Sequence, residues 1–527
     1  MNVLLLSGLG PAFRNQTRVQ HTFLELGRTQ YTRVFPRGIS AGDFVYHRGR
    51  RRLRVLRPKR TQPPLLCTAT LSGILGREGF DCETFPLEHV WSGEREPSGE
   101  RVNVVALSTT FICSMGTLAR ALRWIEQRFT GVPVVLGGQF SNLKAAEILR
   151  RFDSVNFVVR GDGEVAFPAL LRAIESGSST DGVPNVVTRV RGTGEVRSGP
   201  LVNIDLDRYP RPPFQGEVLE VPYESMRGCP FSCKFCSYPA ASPQWRWKAA
   251  RTIVADWQAY AVDNHAERIC AMDSTFTVPP RRFRELLDTL RSSEMAWTAY
   301  ARADDVETEE EVQRLVQAKC AGLSIGFESM SDRTLTRMNK RTEAHHNRTA
   351  ARLLGEAELD LRASFIIGYP GEDAQDYEQT HRYLVEDFRG RFLLNTFSLV
   401  DETLPVWQEA DLYQLRILDP ENPNHSWTHV GMDAPAADAL YERTLRAARW
   451  DSEHAVLNLW QPQYEEPLIH DRGVAENRRL EKLLERLAFA EADWSDDPSE
   501  ADSRTRATLA SLEALGVTSD PRAGGRE

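Results

Sequence analysis

The 527 residues are 41% apolar and 26% charged, the balance of a folded, water-soluble chain of roughly three domains at ~150 residues each. No run approaches the ~18 apolar residues of a membrane span, and the opening MNVLLLSGLG lacks both a positive stretch and a small-residue cleavage site, so a cytoplasmic chain without a membrane partner is expected. The net charge of −8 excludes a general nucleic-acid binder, and eight sparse cysteines exclude a disulfide scaffold.

Up to residue 205, short apolar runs alternate with amphipathic stretches, the pattern of βα units around a parallel sheet. Strands are expected at 3–7, 80–85, 102–108, 132–136 and 155–159, with helices over 65–75 and 118–129. Such a doubly wound, Rossmann-like α/β domain binds ligands at the carboxyl ends of its strands. The loops there, SGLG at 7–10, STT at 108–110, GGQFSN at 137–142 and RGDGE at 160–164, would let a bulky cofactor approach the backbone closely. Residues 11–60 form a basic insertion, with thirteen Lys or Arg against only Glu25 and Asp43. It reads either as a solvated loop or as an anion pocket, since Arg forks pair with phosphate and carboxylate.

A Pro-rich linker follows at 206–220, with YPRPPF at 209–214. The βα alternation resumes over 221–410, with strands near 223–226, 268–272, 297–301, 323–327, 363–367 and 392–397. A helix between two of them carries Phe283, Leu286, Leu287 and Leu290 on one face. Six such units predict a partial, TIM-like α/β barrel, with chemistry at the strand carboxyl ends. Residues 411–490 read as a helical C-terminal region, whose last helix is marked by Leu480, Leu483, Leu484 and Leu487; Trp407, Tyr413, His425, Trp427, His429, Trp460, Tyr464 and His470 around it could cap the barrel mouth. The acidic stretch 491–527 reads as a mostly disordered tail with one short helix near 509–515.

The chemistry-bearing motif is ESMRGCPFSCKFCSYP, which places Cys229, Cys233 and Cys236 at C-x3-C-x2-C directly after an expected strand. Thiolates are the ligands of iron–sulfur clusters, and three of them leave one iron of a four-iron cube without a protein ligand. An open position marks a catalytic metal site rather than a structural one. A zinc knuckle would want a fourth ligand nearby, yet the nearest histidine, His265, is about thirty residues on.

RGCPFSCKFC resembles the signature of the radical S-adenosylmethionine (SAM) superfamily, and later landmarks follow in that family's order. The resemblance implies a 4Fe-4S cluster on Cys229, Cys233 and Cys236 that chelates SAM and cleaves it to a 5′-deoxyadenosyl radical. It also implies SAM contacts at Phe235, at Asp273 in AMDSTF, at Arg302 in AYARAD and at Glu328 in GFES, while FIIGYPGE at 365–372 matches the fifth-strand landmark. One departure is Ser274, where a second acid is familiar. The N-terminal domain resembles the cobalamin-binding domain that precedes the barrel in one large subclass. This implies cobalamin, acting as methylcobalamin, against Ser108, Thr109, Gly137, Gly138, Gly161 and Glu164. The D-x-H-x-x-G motif is absent, so a lower face without a histidine ligand is expected.

Together these resemblances imply a cobalamin-dependent radical SAM methyltransferase, of a kind frequent in antibiotic biosynthesis. It would act on an unactivated carbon or a phosphinate phosphorus of a small molecule and draw on a low-potential electron donor such as flavodoxin or ferredoxin. The Arg-rich insertion leans towards an anionic substrate, with P-methylation of the phosphinothricin type as the specific expectation. The alternatives are a non-methylating enzyme that rearranges or cyclises, a methylthiotransferase using Cys67, Cys82 and Cys113, and a cofactor carrier without turnover.

Overall fold

In a computed structural model of the chain the described residues are 1–7, 45–46, 51–53, 60–61, 63–92, 95–99, 101–112, 114–190, 192–399, 403–419, 426–458, 467, 469, 471–517 and 519–520. Most of the basic insertion 11–60 lies outside them, and with it any anion pocket. Its described strands Val45–Tyr46 and Arg51–Leu53 form a small sheet with Ser519–Asp520.

Five N-terminal strands, β1 (Asn2–Ser7), β2 (Asp81–Pro86), β3 (Val104–Ser108), β4 (Val134–Gly137) and β5 (Val155–Val159), run parallel in the order β2-β1-β3-β4-β5. Helices cover both faces of the sheet, so β1 and β3 are buried along nearly their whole length and read as unbroken apolar runs. On one face α1 (Leu66–Arg77) and α2 (Gly163–Ser176) place Leu75, Phe167, Leu170 and Leu171 against Val3 and Leu5. On the other, helices Met115–Arg128 and Gln139–Arg151 place Leu118, Leu122, Ile125 and Ile148 against Leu4 and Leu6. The doubly wound expectation is therefore met, with a strand-order reversal between β1 and β3 that opens a crevice at the carboxyl edge. Two antiparallel strands, β6 (Val186–Arg189) and β7 (Val196–Ser198), extend the sheet beyond β5 and were not expected.

The linker is packed rather than loose. Tyr260 donates to the Pro212 carbonyl at 3.0 Å, and the Asn264 amide donates to the carbonyls of Phe214 (3.1 Å) and Gly216 (2.9 Å).

Seven parallel strands then follow in sequence order: β8 (Glu220–Tyr223), β9 (Arg268–Ala271), β10 (Ala296–Ala301), β11 (Cys320–Glu328), β12 (Asp360–Ile367), β13 (Gly390–Thr396) and β14 (Ala455–Leu457). One expectation is corrected here: the first barrel strand ends at Tyr223, and Met226–Arg227 instead pairs antiparallel with Arg246–Trp247. The C-terminal region is helical, as expected, and also supplies the seventh strand: β14 pairs with β13 between helices Ala434–Trp450 and Val474–Asp493. At the opposite end of the strands from the cysteine loop, buried Arg391 bridges Asp360 on β12 and Glu481 on the second of these helices.

The acidic tail is also corrected. Residues Pro498–Ala514 form a helix whose N-terminal Asp497 side chain accepts from the amides of Ser499 and Glu500, and Ala501, Thr505, Thr508 and Leu512 are buried. No described helix is long and apolar enough to cross a membrane.

Candidate cofactor sites at the domain junction

The cysteine loop is held from outside. Gly228 adopts φ +78°, and a Cβ there would lie 2.6 Å from the Gln244 carbonyl oxygen, so only glycine opens the loop. The Lys234 amide donates to the Met338 carbonyl (2.8 Å), Val406 donates to the Lys234 carbonyl (3.1 Å), and Lys234 pairs with Glu409 at 2.5 Å. The Cys236 amide turns back onto the Cys233 carbonyl at 3.2 Å. Burial, with smaller contributions from neighbouring Cys233 and Cys229, pushes the Cys236 thiol up to about 11. Burial also raises the Cys233 thiol, opposed by the Lys340 and Arg302 cations. Three thiolates on one loop are the donor set of an iron–sulfur cube with one open iron, and one short of zinc's structural four.

The SAM-type residues fall into two groups. Phe235, Arg302 and Glu328 converge on Lys340, a residue that the sequence reading missed. Lys340 pairs with Glu328 at 3.2 Å, its ammonium lies 5.8 Å from the Phe235 ring centroid, and its carbonyl accepts from Arg302 at 2.7 Å. Arg302 also stacks 4.0 Å from the Phe231 ring inside the cysteine loop. Asp273 differs: its carboxylate accepts from the amides of Ser225 (2.7 Å) and Met226 (2.9 Å) and from the Ser225 hydroxyl. It therefore anchors the turn into the cysteine loop, and Ser274, where the second acid was missed, donates to the Gly228 carbonyl at 2.8 Å. Burial raises the Asp273 carboxyl to about 6 despite those donors.

The turn after β12 is held by two uncharged titratable groups. Glu372 is fully buried and accepts from the Gly368 amide at 2.7 Å through Oε2. Burial pushes this carboxyl up to about 8. His429 donates to the Gly368 carbonyl through Nε2 (3.1 Å) and accepts at Nδ1 from Gly371 (3.3 Å) and Gly431 (3.1 Å), and burial lowers it to about 4. Trp427 stacks on His429 at 5.3 Å. The aromatic cap thus reaches the barrel through Trp427 and His429, while His425, Trp460, Tyr464 and His470 lie outside the described residues.

Between the two domains lies an open cleft of about 370 Å³, within the ~300–1,000 Å³ of a ligand pocket. Ser108, Gly137, Gly138, Gly161 and Glu164, five of the residues singled out in the sequence, line it. Thr109 does not: its hydroxyl turns inward to the Gly137 carbonyl (2.8 Å) and the Ser141 hydroxyl (3.0 Å), pinning the β3 and β4 loops together. Gly138 has φ +102°, and a Cβ would sit 2.8 Å from the Thr110 amide nitrogen, so the backbone faces the cleft bare. On the barrel side the wall is made by the flanks of the cysteine loop, Glu224 and Arg227 before it and Tyr238 and Ala240–Pro243 after it.

Residues 223–384 match the model of the Radical SAM superfamily. In structure the chain is similar to the radical S-adenosylmethionine methyltransferase TsrM from Kitasatospora setae, solved with cobalamin and a 4Fe-4S cluster, at a TM-score of 0.59 and 16% identity over 98% of this chain and 99% of that one. It is also similar to OxsB, a cobalamin-dependent S-adenosylmethionine radical enzyme, at a TM-score of 0.53 and 17% identity over 97% and 71% of the two chains. By sequence it resembles an uncharacterized methyltransferase of Pyrococcus horikoshii, 24% identical over 294 residues, covering 53% of this chain and 62% of the relative. It likewise resembles the anaerobic magnesium-protoporphyrin IX monomethyl ester cyclase of Cereibacter sphaeroides, 24% identical over 351 residues, covering 60% and 56%. The chain thus spans less than two thirds of these curated relatives' length. At such identities the solved structures speak for the fold. Residues 223–384 are a radical SAM domain, set behind a doubly wound domain in the fold shared with TsrM and OxsB.

Proposed function

We propose that this protein is a cobalamin-dependent radical SAM methyltransferase acting on a small molecule. The observation that carries this reading is the shared wall: the flanks of the cysteine loop also line the interdomain cleft, so the two cofactor sites face one another across one loop. Bound there, the cluster and SAM would supply a carbon-centred radical and cobalamin a transferable methyl group. The chain's part is placement. Cys229, Cys233 and Cys236 would hold three irons, and Asp273 and Ser274 fix the entry to their loop. Lys340 gathers Phe235, Arg302 and Glu328 on the SAM side, while Gly137, Gly138 and Gly161 let a corrin lie against bare backbone. A low-potential flavodoxin- or ferredoxin-type donor completes the scheme, and antibiotic biosynthesis, with a small anionic substrate such as a phosphinate, is the first place to seek the methyl acceptor.

The test is anaerobic reconstitution with cluster, cobalamin, SAM and reductant, followed by mass spectrometry. Formation of both 5′-deoxyadenosine and S-adenosylhomocysteine, with 5′-deoxyadenosine lost in a Cys229/Cys233/Cys236 triple Ala variant, supports methyl transfer. 5′-Deoxyadenosine alone, with candidate substrates present, would favour a non-methylating enzyme, a reading that the similarity to the cyclase keeps in view. A methylthiotransferase is disfavoured: Cys67 sits on α1, Cys82 sits in β2 with its thiol pushed up to about 12 by burial, and Cys113 lies outside the described residues.

A further inference from the structure

Arg227 stands two residues before Cys229, and its guanidinium reaches out of the barrel into the other domain. Nη1 donates to Asp162 Oδ1 (2.7 Å) and Glu164 Oε2 (3.0 Å), Nη2 to Glu164 Oε1 (2.5 Å), and Nε to Glu224 Oε2 (3.0 Å). Arg246, its register partner across the short hairpin, also holds Asp162. Asp162 and Glu164 open helix α2 at the rim of the cleft, and both are buried. Buried carboxylates demand such partners, and a planar fork fixes direction as well as charge. Asp162 is fixed further by the Ile204 amide, which donates to Oδ2 at 2.8 Å.

On the cysteine side the arm is short: only Gly228, set against the Gln244 carbonyl, separates Arg227 from Cys229, and Tyr238 lines the cleft from the other flank of the loop. A group seated in the cleft therefore touches the wall that also aims Cys229. Coupling between two sites is reciprocal by linkage.

We propose that Arg227, forked on Glu164 and Asp162, is a positioning residue that couples occupation of the interdomain cleft by a corrin to the geometry of the iron–sulfur loop. This rests on the cobalamin reading of the cleft. It adds an ordering to that reading: each cofactor favours uptake of the other, so the chain is loaded with both or poorly with either.

The full chain is prepared without oxygen, once iron-free and once with iron and sulfide reconstituted, and aquacobalamin is titrated into each by its visible absorbance. The iron-loaded form is expected to bind at least about fivefold more tightly, the lower end of ordinary coupling, and added aquacobalamin is expected to shift the electron paramagnetic resonance spectrum of the reduced cluster. Glu164→Gln and Arg227→Lys, which keep the volume or the charge but lose the fork, should bring the two affinities within about twofold and remove the spectral shift. Using both variants guards against one that fails to fold, and iron content reports folding independently of the corrin. Equal affinities in the two unmutated forms, or coupling that survives in both variants, would overturn the proposal alone. No aquacobalamin uptake by either form would overturn the corrin reading itself.

Discussion

Glu372→Gln isolates the most strongly displaced carboxyl near the barrel mouth. Its ordinary value of 4.5 rises to about 8 on burial, so the folded chain holds this proton more tightly than the unfolded one. The stabilisation is complete below 4.5 and is lost as pH climbs through about 8. At ~1.4 kcal/mol per pH unit the whole interval corresponds to about 5 kcal/mol. His429, against the same turn, has the opposite sign: lowered from 6.5 to about 4, it destabilises the fold as pH falls across that range. The stretch from 6.5 to 8 is therefore clear of His429, and Glu372 should contribute a loss of about 2 kcal/mol there. Gln keeps an acceptor for the Gly368 amide and cannot ionise, so this loss should be absent from its profile, while Lys482, lowered to about 8 by burial, acts on both chains alike. Urea unfolding at several pH values, followed by the fluorescence of buried Trp257, Trp297 and Trp427, reads both profiles. A gap between unmutated chain and variant that does not widen from pH 6.5 to 8 would refute the reasoning.

Gly138→Ala forces a side chain into a left-handed position against the Thr110 backbone, and aquacobalamin affinity is expected to fall by at least about tenfold, with strain of ~1–3 kcal/mol visible in the urea midpoint. Arg391→Met removes the guanidinium shared by buried Asp360 and Glu481; because Arg362 still holds Asp360 at 3.0 Å, the cost should be about 3 kcal/mol, the low end for a broken buried pair, measured by denaturant unfolding. Cys233→Ala removes one of only three thiols in the loop; iron and sulfide content after reconstitution should fall to background, while the iron-free chain keeps its unfolding midpoint to within about 1 kcal/mol.

Where one short segment carries the information, the sequence was readable. The Val155–Val159 strand and the end of the Asp360–Ile367 strand are local patterns, and the cysteine spacing lies within eight residues of chain. What was missed depends on partners far away. The strand Ala455–Leu457 is three residues long and is a strand only because β13 lies beside it. Helix Pro498–Ala514 buries Ala501, Thr505 and Thr508, residues too small or too polar to form an apolar stripe, so its acidic face dominated the reading. Lys340 carries no motif of its own, and its role follows from Glu328 and Phe235 folding towards it. Asp273 was matched by position, but its task is visible only once Ser225 and Met226 are seen to donate to it. Arg227 and Glu164 are separated by 63 residues, and nothing local to either announces the pair.

The seventh strand also bears on how the chain can be divided. A piece ending at residue 410 would keep every cysteine and every SAM-side residue, yet it would strip β14 from β13 and uncover the backbone donors and acceptors of Gly390, Arg391 and Phe392. Such a bare strand edge is a template on which a second molecule can add its own strand. The shortened domain should therefore self-associate, so that in the full chain β14 would serve as a guard against polymerisation.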